Sequence, residues 1–218
     1  MDTTKQAYHH VDLRTALLRA GEEMIVEEGV DSVTFRALSK RVGVSRTASY
    51  RHFRDKTDLL CGIAEEGFRK LRDHLREVDA KLDPLARFGE IAVAYVDFAV
   101  RNPDHYRLMF GREVVSRPPP DGLRDMVHEA FGETREVLEV CQREGCIRQD
   151  DTVALANVAW ATVHGLAILL IDGQVQTSEM AFGLHSLLSN GGKRKPDDPR
   201  QLIRLAIGTL IDGLRVGE

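Results

Sequence analysis

Thr34–Leu60 reads TFRALSKRVGVSRTASYRHFRDKTDLL, and the order of residues in it decides the fold. Thr34 carries a hydroxyl suited to a helix start. Phe35, Leu38 and Val42 recur at helical spacing on one face, with Arg36, Lys40 and Arg41 on the other. Gly43 is the residue best able to turn the chain sharply at a helix end. Ser45 is placed to cap a second short helix bearing Arg46, Thr47, Ser49, Tyr50, Arg51 and His52, which closes on Phe53. Two short helices joined by a glycine-containing turn describe a helix-turn-helix, whose second helix enters the DNA major groove.

The charge agrees with this reading. Between Thr34 and Lys56 seven basic residues face one acid, Asp55, inside a chain whose formal net charge is -4. A basic island in an acidic protein is a footprint for phosphates. An isolated charge run is usually a solvated helix face, but here the charges coincide with the turn pattern.

The stretch resembles the DNA-binding domain of the TetR family of bacterial transcriptional regulators. Gly43, Val44, Ser45, Tyr50, His52, Phe53, Lys56 and Leu59 meet the family's G-V-S-x-x-x-(Leu/Ile)-Y-x-(His/Tyr)-F-x-x-K-x-x-L pattern. Ser49 departs from it, standing where the family has Leu or Ile to seat the recognition helix. The resemblance covers about the first quarter of the chain and implies an all-α fold.

Working outward, Asp12–Glu28 forms an amphipathic pattern with Leu13, Leu17, Met24 and Ile25 on one stripe, ended by Gly29. The resemblance implies that this first helix holds the recognition helix in place. Residues 1–10 are polar and read as a loose terminus. After Asp55, a plausible N-cap, a helix runs from Lys56 through Leu71, long enough to join two domains as a lever or as a passive connector. The expected division is therefore a DNA-binding domain over 1–58 and a helical ligand-binding and dimerisation domain over 59–218.

The second part reads as helical throughout. Helices are expected over Pro84–Val100, Asp104–Phe110 and Asp121–Arg143, with Gly145 as a stop. The span Val153–Ile171, capped by Asp150 or Asp151, is apolar almost all round and so must be buried on all sides. A short stretch with Met180, Phe182, Leu184 and Leu187 leads to the loop SNGGKRKPDDP, and Asp198-Pro199 starts a last helix. Gly208 and Gly213 weaken that helix unless another helix approaches closely. The Val153–Ile171 helix and the last helix are thus expected to form a homodimer interface, and the resemblance implies a four-helix bundle there. A two-fold dimer suits a palindromic operator in double-stranded DNA. Asn102-Pro103 with His105–Phe110, and Trp160 with His164 and Gly165, resemble the WHG class of TetR-type C-terminal domains.

Base reading falls to Arg46, Thr47, Tyr50 and Arg51, with Arg46 the strongest choice because its fork matches guanine. Thr34, Tyr50, His52 and Lys56 suit phosphates. Arg36, Ser45 and Ser49 complete the expected DNA-binding set. The resemblance further implies a pocket for a small-molecule effector, for which Phe88, Tyr95, Tyr106, Phe110, Trp160 and His164 are the candidates. Aromatics at helical spacing are core residues more often than ligand contacts. Trp160 and His164, four apart, share one helical face. Nothing fixes the effector's charge, and an apolar or aromatic compound is expected.

Composition bounds the rest. A chain of 218 residues, 43% hydrophobic and 29% charged, is that of a soluble globular protein of one or two domains. The start has no signal-peptide core, and no apolar run reaches about 18 residues, so a cytoplasmic protein without a membrane span is expected. Three cysteines fit a reducing compartment. Cys141 and Cys146 are too few ligands for zinc and read as ordinary thiols, with redox sensing the alternative. No nucleophile elbow, phosphate loop or His-Glu-x-x-His occurs, so no catalytic residue, cofactor or metal is expected. An architectural or localisation factor that binds DNA without an effector is the alternative to a ligand-released repressor.

Overall fold

The computed structural model describes residues 3–115, 118–174 and 199–215. Among these the chain is helical and no strand occurs, as the pattern requires. The helices are α1 (Thr3–Glu28), α2 (Phe35–Val42), α3 (Arg46–Tyr50), α4 (Lys56–Arg76) and α5 (Pro84–Arg101). They continue with α6 (Pro103–Met109), α7 (Arg112–Val115), α8 (Asp121–Arg143), α9 (Thr152–Ile171) and α10 (Pro199–Leu214). The stretch with Met180, Phe182, Leu184 and Leu187, and the following loop through Asp198, lie outside the described residues.

Local chemistry sets the boundaries. Thr34 Oγ1 accepts from Ala37 N at 3.2 Å, and Ser45 Oγ accepts from Ala48 N at 3.2 Å, so both expected caps are made. Gly43 turns α2 into α3 at φ 76°, a left-handed conformation that a side chain resists. Asp55 Oδ1 accepts from Asp58 N at 2.8 Å at the start of α4. Asp151, not Asp150, caps α9, accepting from Val153 N at 2.8 Å. The first helix differs from expectation by beginning at Thr3 instead of Asp12.

Contacts gather the chain into two compact units. The first comprises Met1–Lys70 and Asn102–His128, the second Leu71–Arg101 and Glu129–Glu218. A division at residue 58 would fall inside α4, so compactness does not follow it. The reason lies in what α4 and α6 touch within the first unit. Phe68 meets Phe110 edge-on with centroids 5.4 Å apart. Glu22 of α1 receives Lys70 Nζ at 2.9 Å and lies 3.4 Å from His105 Nε2. Burial pushes the Glu22 carboxyl upward, but His105 and Lys70 outweigh it and hold the group below its ordinary value. Leu17, Val33, Leu38, Leu59 and Ile63, all fully enclosed, form the middle of this unit.

In the second unit α5 packs against α9 and α10. Leu155, Ala159, Val163 and Ala167, spaced by four, bury one stripe of α9. Other positions on that helix are open: Val153 and Val158 are 56% and 53% exposed. Leu205 of α10 is 68% exposed. By length and composition α9 also meets the requirement for crossing a membrane, although its buried stripe is packed as in a helical core.

Candidate DNA-binding surface and effector cavity

The sequence places a dense set of polar side chains on the outer side of α2 and α3. Thr34, Arg36, Lys40, Ser45, Arg46, Thr47, Tyr50 and Arg51 are exposed, on elements whose opposite faces carry the buried Phe35 and Leu38. The hydroxyls of Thr34 and Ser45 already accept backbone hydrogen bonds as caps. Tyr50 stacks on Phe35 with centroids 4.1 Å apart and 24° between planes, which fixes its ring while leaving it 54% exposed. His52 and Lys56 are half-buried, and Lys56 Nζ reaches the Asp31 carbonyl at 3.5 Å. The guanidinium of Arg14 on α1 lies 5.4 Å from the Phe53 ring centroid, tying α1 to the end of the motif.

Ser49 requires a correction. It was expected among the DNA-facing residues, but its side chain is fully buried and its Oγ lies 2.8 Å from Ser39 Oγ. The recognition helix α3 is therefore seated on α2 by a hydroxyl pair where the family pattern has an aliphatic side chain. Such a bond is directional, so it specifies rotation as well as contact. Ser39→Ala is expected to lower stability by about 1–3 kcal/mol, because a buried hydroxyl loses its partner. Replacing both serines by Ala should cost less than the sum of the single changes. Urea unfolding of the three variants measures this, and strictly additive losses would show the bond contributes nothing.

Not every cation in the basic island is available to phosphates. Glu27 grips Arg41 with both carboxylate oxygens, at 2.7 and 2.6 Å, and Glu23 approaches the same guanidinium at 3.2 Å. The hydrogen bonds from Arg41 hold the Glu27 carboxyl below its ordinary value. Arg41→Ala is expected to leave the salt dependence of DNA binding nearly unchanged, whereas Arg36→Ala should flatten it. Fluorescence titrations against log salt concentration compare the two slopes, and equal slopes would place Arg41 at the DNA.

The second unit holds a cavity of about 210 Å³. Phe88, Tyr95, Phe131, Trp160, Leu71 and Leu210 are among its lining residues, and Thr134 and Asn157 add polar groups without any charged side chain. Trp160 Nε1 donates to Tyr95 Oη at 3.1 Å, and the same oxygen lies 3.4 Å from His164 Nδ1. Phe131 meets Trp160 edge-on at 5.6 Å. Of the six expected ligand contacts, Phe88, Tyr95 and Trp160 are brought together at the cavity. His164 sits behind Tyr95 and supports its hydroxyl. Tyr106 and Phe110 are not among the lining residues: they pack against each other at 4.9 Å in the first unit. Their helical spacing reported burial, which a core and a pocket share. Thr134, Asn157 and Phe131 were missed, because nothing in a helical pattern separates a cavity wall from a core.

Burial pushes the His164 imidazole below its ordinary value of 6.5. The unfolded chain takes up a proton near that value while the folded chain resists it. Stability from this group is therefore complete above pH 6.5 and falls as pH drops below it. His164→Gln should reduce the loss of melting temperature between pH 7.5 and pH 5.5, values set by the roughly 6.5 midpoint of histidine. An unchanged loss would mean that the imidazole titrates as if free.

Capped α2, a left-handed glycine turn and an exposed basic α3 define a helix-turn-helix DNA-binding protein. Residues 17–61 match the family model described as bacterial regulatory proteins, tetR family, and residues 88–180 match a tetracyclin repressor-like C-terminal domain. The chain is 30% identical over 141 residues to the nucleoid occlusion factor SlmA of Vibrio cholerae, covering 64% of this chain and 71% of that one. It is 26% identical over 186 residues to the uncharacterized HTH-type transcriptional regulator Rv2250c of Mycobacterium tuberculosis, covering 79% and 92%. Among solved structures it is similar to a protein of unknown function from Rhodococcus sp. RHA1, with a TM-score of 0.74, 29% identity and 94% and 96% coverage. It also shares the fold of the TetR family transcriptional regulator PfmR from Thermus thermophilus, with a TM-score of 0.60, 15% identity and 92% and 99% coverage. The chain belongs to the TetR family of bacterial regulatory proteins, and it is a DNA-binding regulator. Proteins of this family bind DNA and act as dimers.

Proposed function

We propose that the chain is a cytoplasmic homodimeric repressor, released from a palindromic operator when an apolar or aromatic molecule enters the cavity of the second unit. The observation that carries this reading is the coexistence of an uncharged, aromatic-lined cavity with exposed aliphatic side chains on α9 and α10. Functionally, residues 1–58 bind DNA, and residues 59–218 bind ligand and pair two chains. Arg46 reads a guanine edge, with Thr47, Tyr50 and Arg51 beside it. Thr34, Arg36, Ser45, His52 and Lys56 set register on the phosphates. Among the described residues, a Cβ added at Gly208 or Gly213 would meet no atom within 4 Å, so none of them demands glycine there. A closely approaching helix of a second copy supplies that demand. Within the family, Trp160, His164 and Gly165 favour the WHG class of C-terminal domains.

One observation favours a second reading, a DNA-binding localisation factor without an effector: relatives such as the Vibrio cholerae protein are named nucleoid occlusion factors. Linkage separates the two. Under the first reading, a compound that weakens operator DNA must be weakened by the DNA by the same factor. A panel of neutral aromatic compounds screened by thermal shift, then by operator release, measures both. Stabilisation without release would assign the second reading.

A further inference from the structure

The C-terminus of α8 closes in a way that pairs two thiols. Gly145 adopts φ 72°, its N donates to Gln142 O at 3.1 Å, and Cys146 N donates to Cys141 O at 2.8 Å. These two bonds are the paired 5→2 and 6→1 bonds of a Schellman cap. In that cap the residues joined by the outer bond commonly pack side chain against side chain. Here both are cysteine. The path from one Cα through the carbonyl, the 2.8 Å hydrogen bond and the N–Cα bond limits the Cα separation to about 7 Å. Disulfides span Cα separations of about 4.4–6.8 Å. The backbone bond thus holds the two cysteines at a separation near the disulfide range.

We propose that Cys141 and Cys146 form a reversible disulfide-forming site that takes peroxide oxidants. The two thiols differ in accessibility. Cys146 is half-buried and meets the oxidant; Cys141 is fully buried and resolves it. In the first step the Cys146 sulfur attacks one oxygen of the peroxide, the O–O bond breaks, and the thiol proton passes to the departing oxygen, giving a sulfenic acid and an alcohol, or water when the oxidant is hydrogen peroxide. In the second the Cys141 sulfur attacks the Cys146 sulfur, its proton leaves with the hydroxyl as water, and the S–S bond forms. The two thiols are oxidised by two electrons in total, and the peroxide is reduced by two. Burial, with Cys146 close by, pushes the Cys141 thiol up to about 11, so it is protonated in the reduced protein. A dithiol reductant reverses the bridge by exchange.

The cap is bonded to its surroundings in the second unit. Gln142 Nε2 donates to Asp150 O at 2.8 Å, Thr152 Oγ1 donates to Gln142 Oε1 at 2.6 Å, and Arg148 N donates to Leu214 O at 2.9 Å. A bridge at Cys141–Cys146 thus acts on the start of α9 and the end of α10.

The test is peptide mapping of the full-length protein after hydrogen peroxide, with alkylation before and after dithiothreitol. The expected product has lost two hydrogens, links Cys141 to Cys146, leaves Cys61 alkylatable and is reversed by dithiothreitol. Cys146→Ser should abolish it, and Cys141→Ser should leave a sulfenic acid at Cys146 that dimedone labels. A bridge to Cys61 or to a second chain, over-oxidation of Cys146 beside an intact Cys141 thiol, or no oxidation of either at peroxide levels that oxidise free glutathione would each overturn the proposal. The wild-type map decides the matter even where a variant fails to fold.

Discussion

Val158→Asp, and separately Leu205→Asp, is expected to turn the dimer into a monomer that no longer holds operator DNA. Both side chains are aliphatic and more than half exposed in a single chain, on the two helices proposed to pair in the dimer. In an isologous interface each substitution appears twice, so two carboxylates lose water for each one introduced. An unpaired charge buried in such an interface costs about 3–5 kcal/mol. That corresponds to roughly a hundred- to several-thousand-fold in dimer affinity. The monomer itself should keep its fold, because neither residue is enclosed by its own chain. Sedimentation velocity with circular dichroism separates the two effects. A variant that stays dimeric with unchanged affinity would move the interface away from α9 and α10.

Arg46→Ala and Lys56→Ala should weaken DNA binding in different ways. Arg46 is exposed at the first turn of α3, where a groove-reading helix presents its N-terminal residues to base edges. Losing a two-pronged base contact costs about 1–3 kcal/mol on the matching sequence and little on random DNA. Specificity at one operator position therefore relaxes by roughly ten- to a hundredfold. Lys56, at the start of α4, supplies charge only. Its removal should weaken specific and random DNA alike and flatten the salt dependence by about one counterion. Equal losses on both kinds of DNA for Arg46→Ala would make that residue a phosphate contact.

Where the chain's own chemistry is local, the residues were readable in order. Thr34, Ser45 and Asp55 cap helices because each has a side-chain oxygen and a following helical pattern, and Gly43 turns where only glycine turns without strain. Tertiary pairing was less legible. Ser39 lies between Leu38 and Lys40 with nothing in the sequence to mark it as buried, yet it faces Ser49 across ten positions and is buried with it. Phe110 follows the same spacing as genuine cavity residues but belongs to the packing around Phe68. The start of α1 was missed because the sequence from Thr3 to His10 is polar and carries no apolar periodicity to register a helix. The pairing of Cys141 with Cys146 depends on Gly145 entering the left-handed region, a conformation their separation of five does not itself reveal.

We propose that this chain reads a palindromic DNA sequence as a dimer. Selection of genomic fragments by the purified full-length protein at near-physiological salt, followed by sequencing, measures it most directly. Repeated recovery of a short palindrome, with half-sites about one helical turn apart, is the predicted result. Recovery of fragments without a common sequence, with binding lost steeply as salt rises, would show that the basic island recognises phosphates without reading bases and would contradict the account.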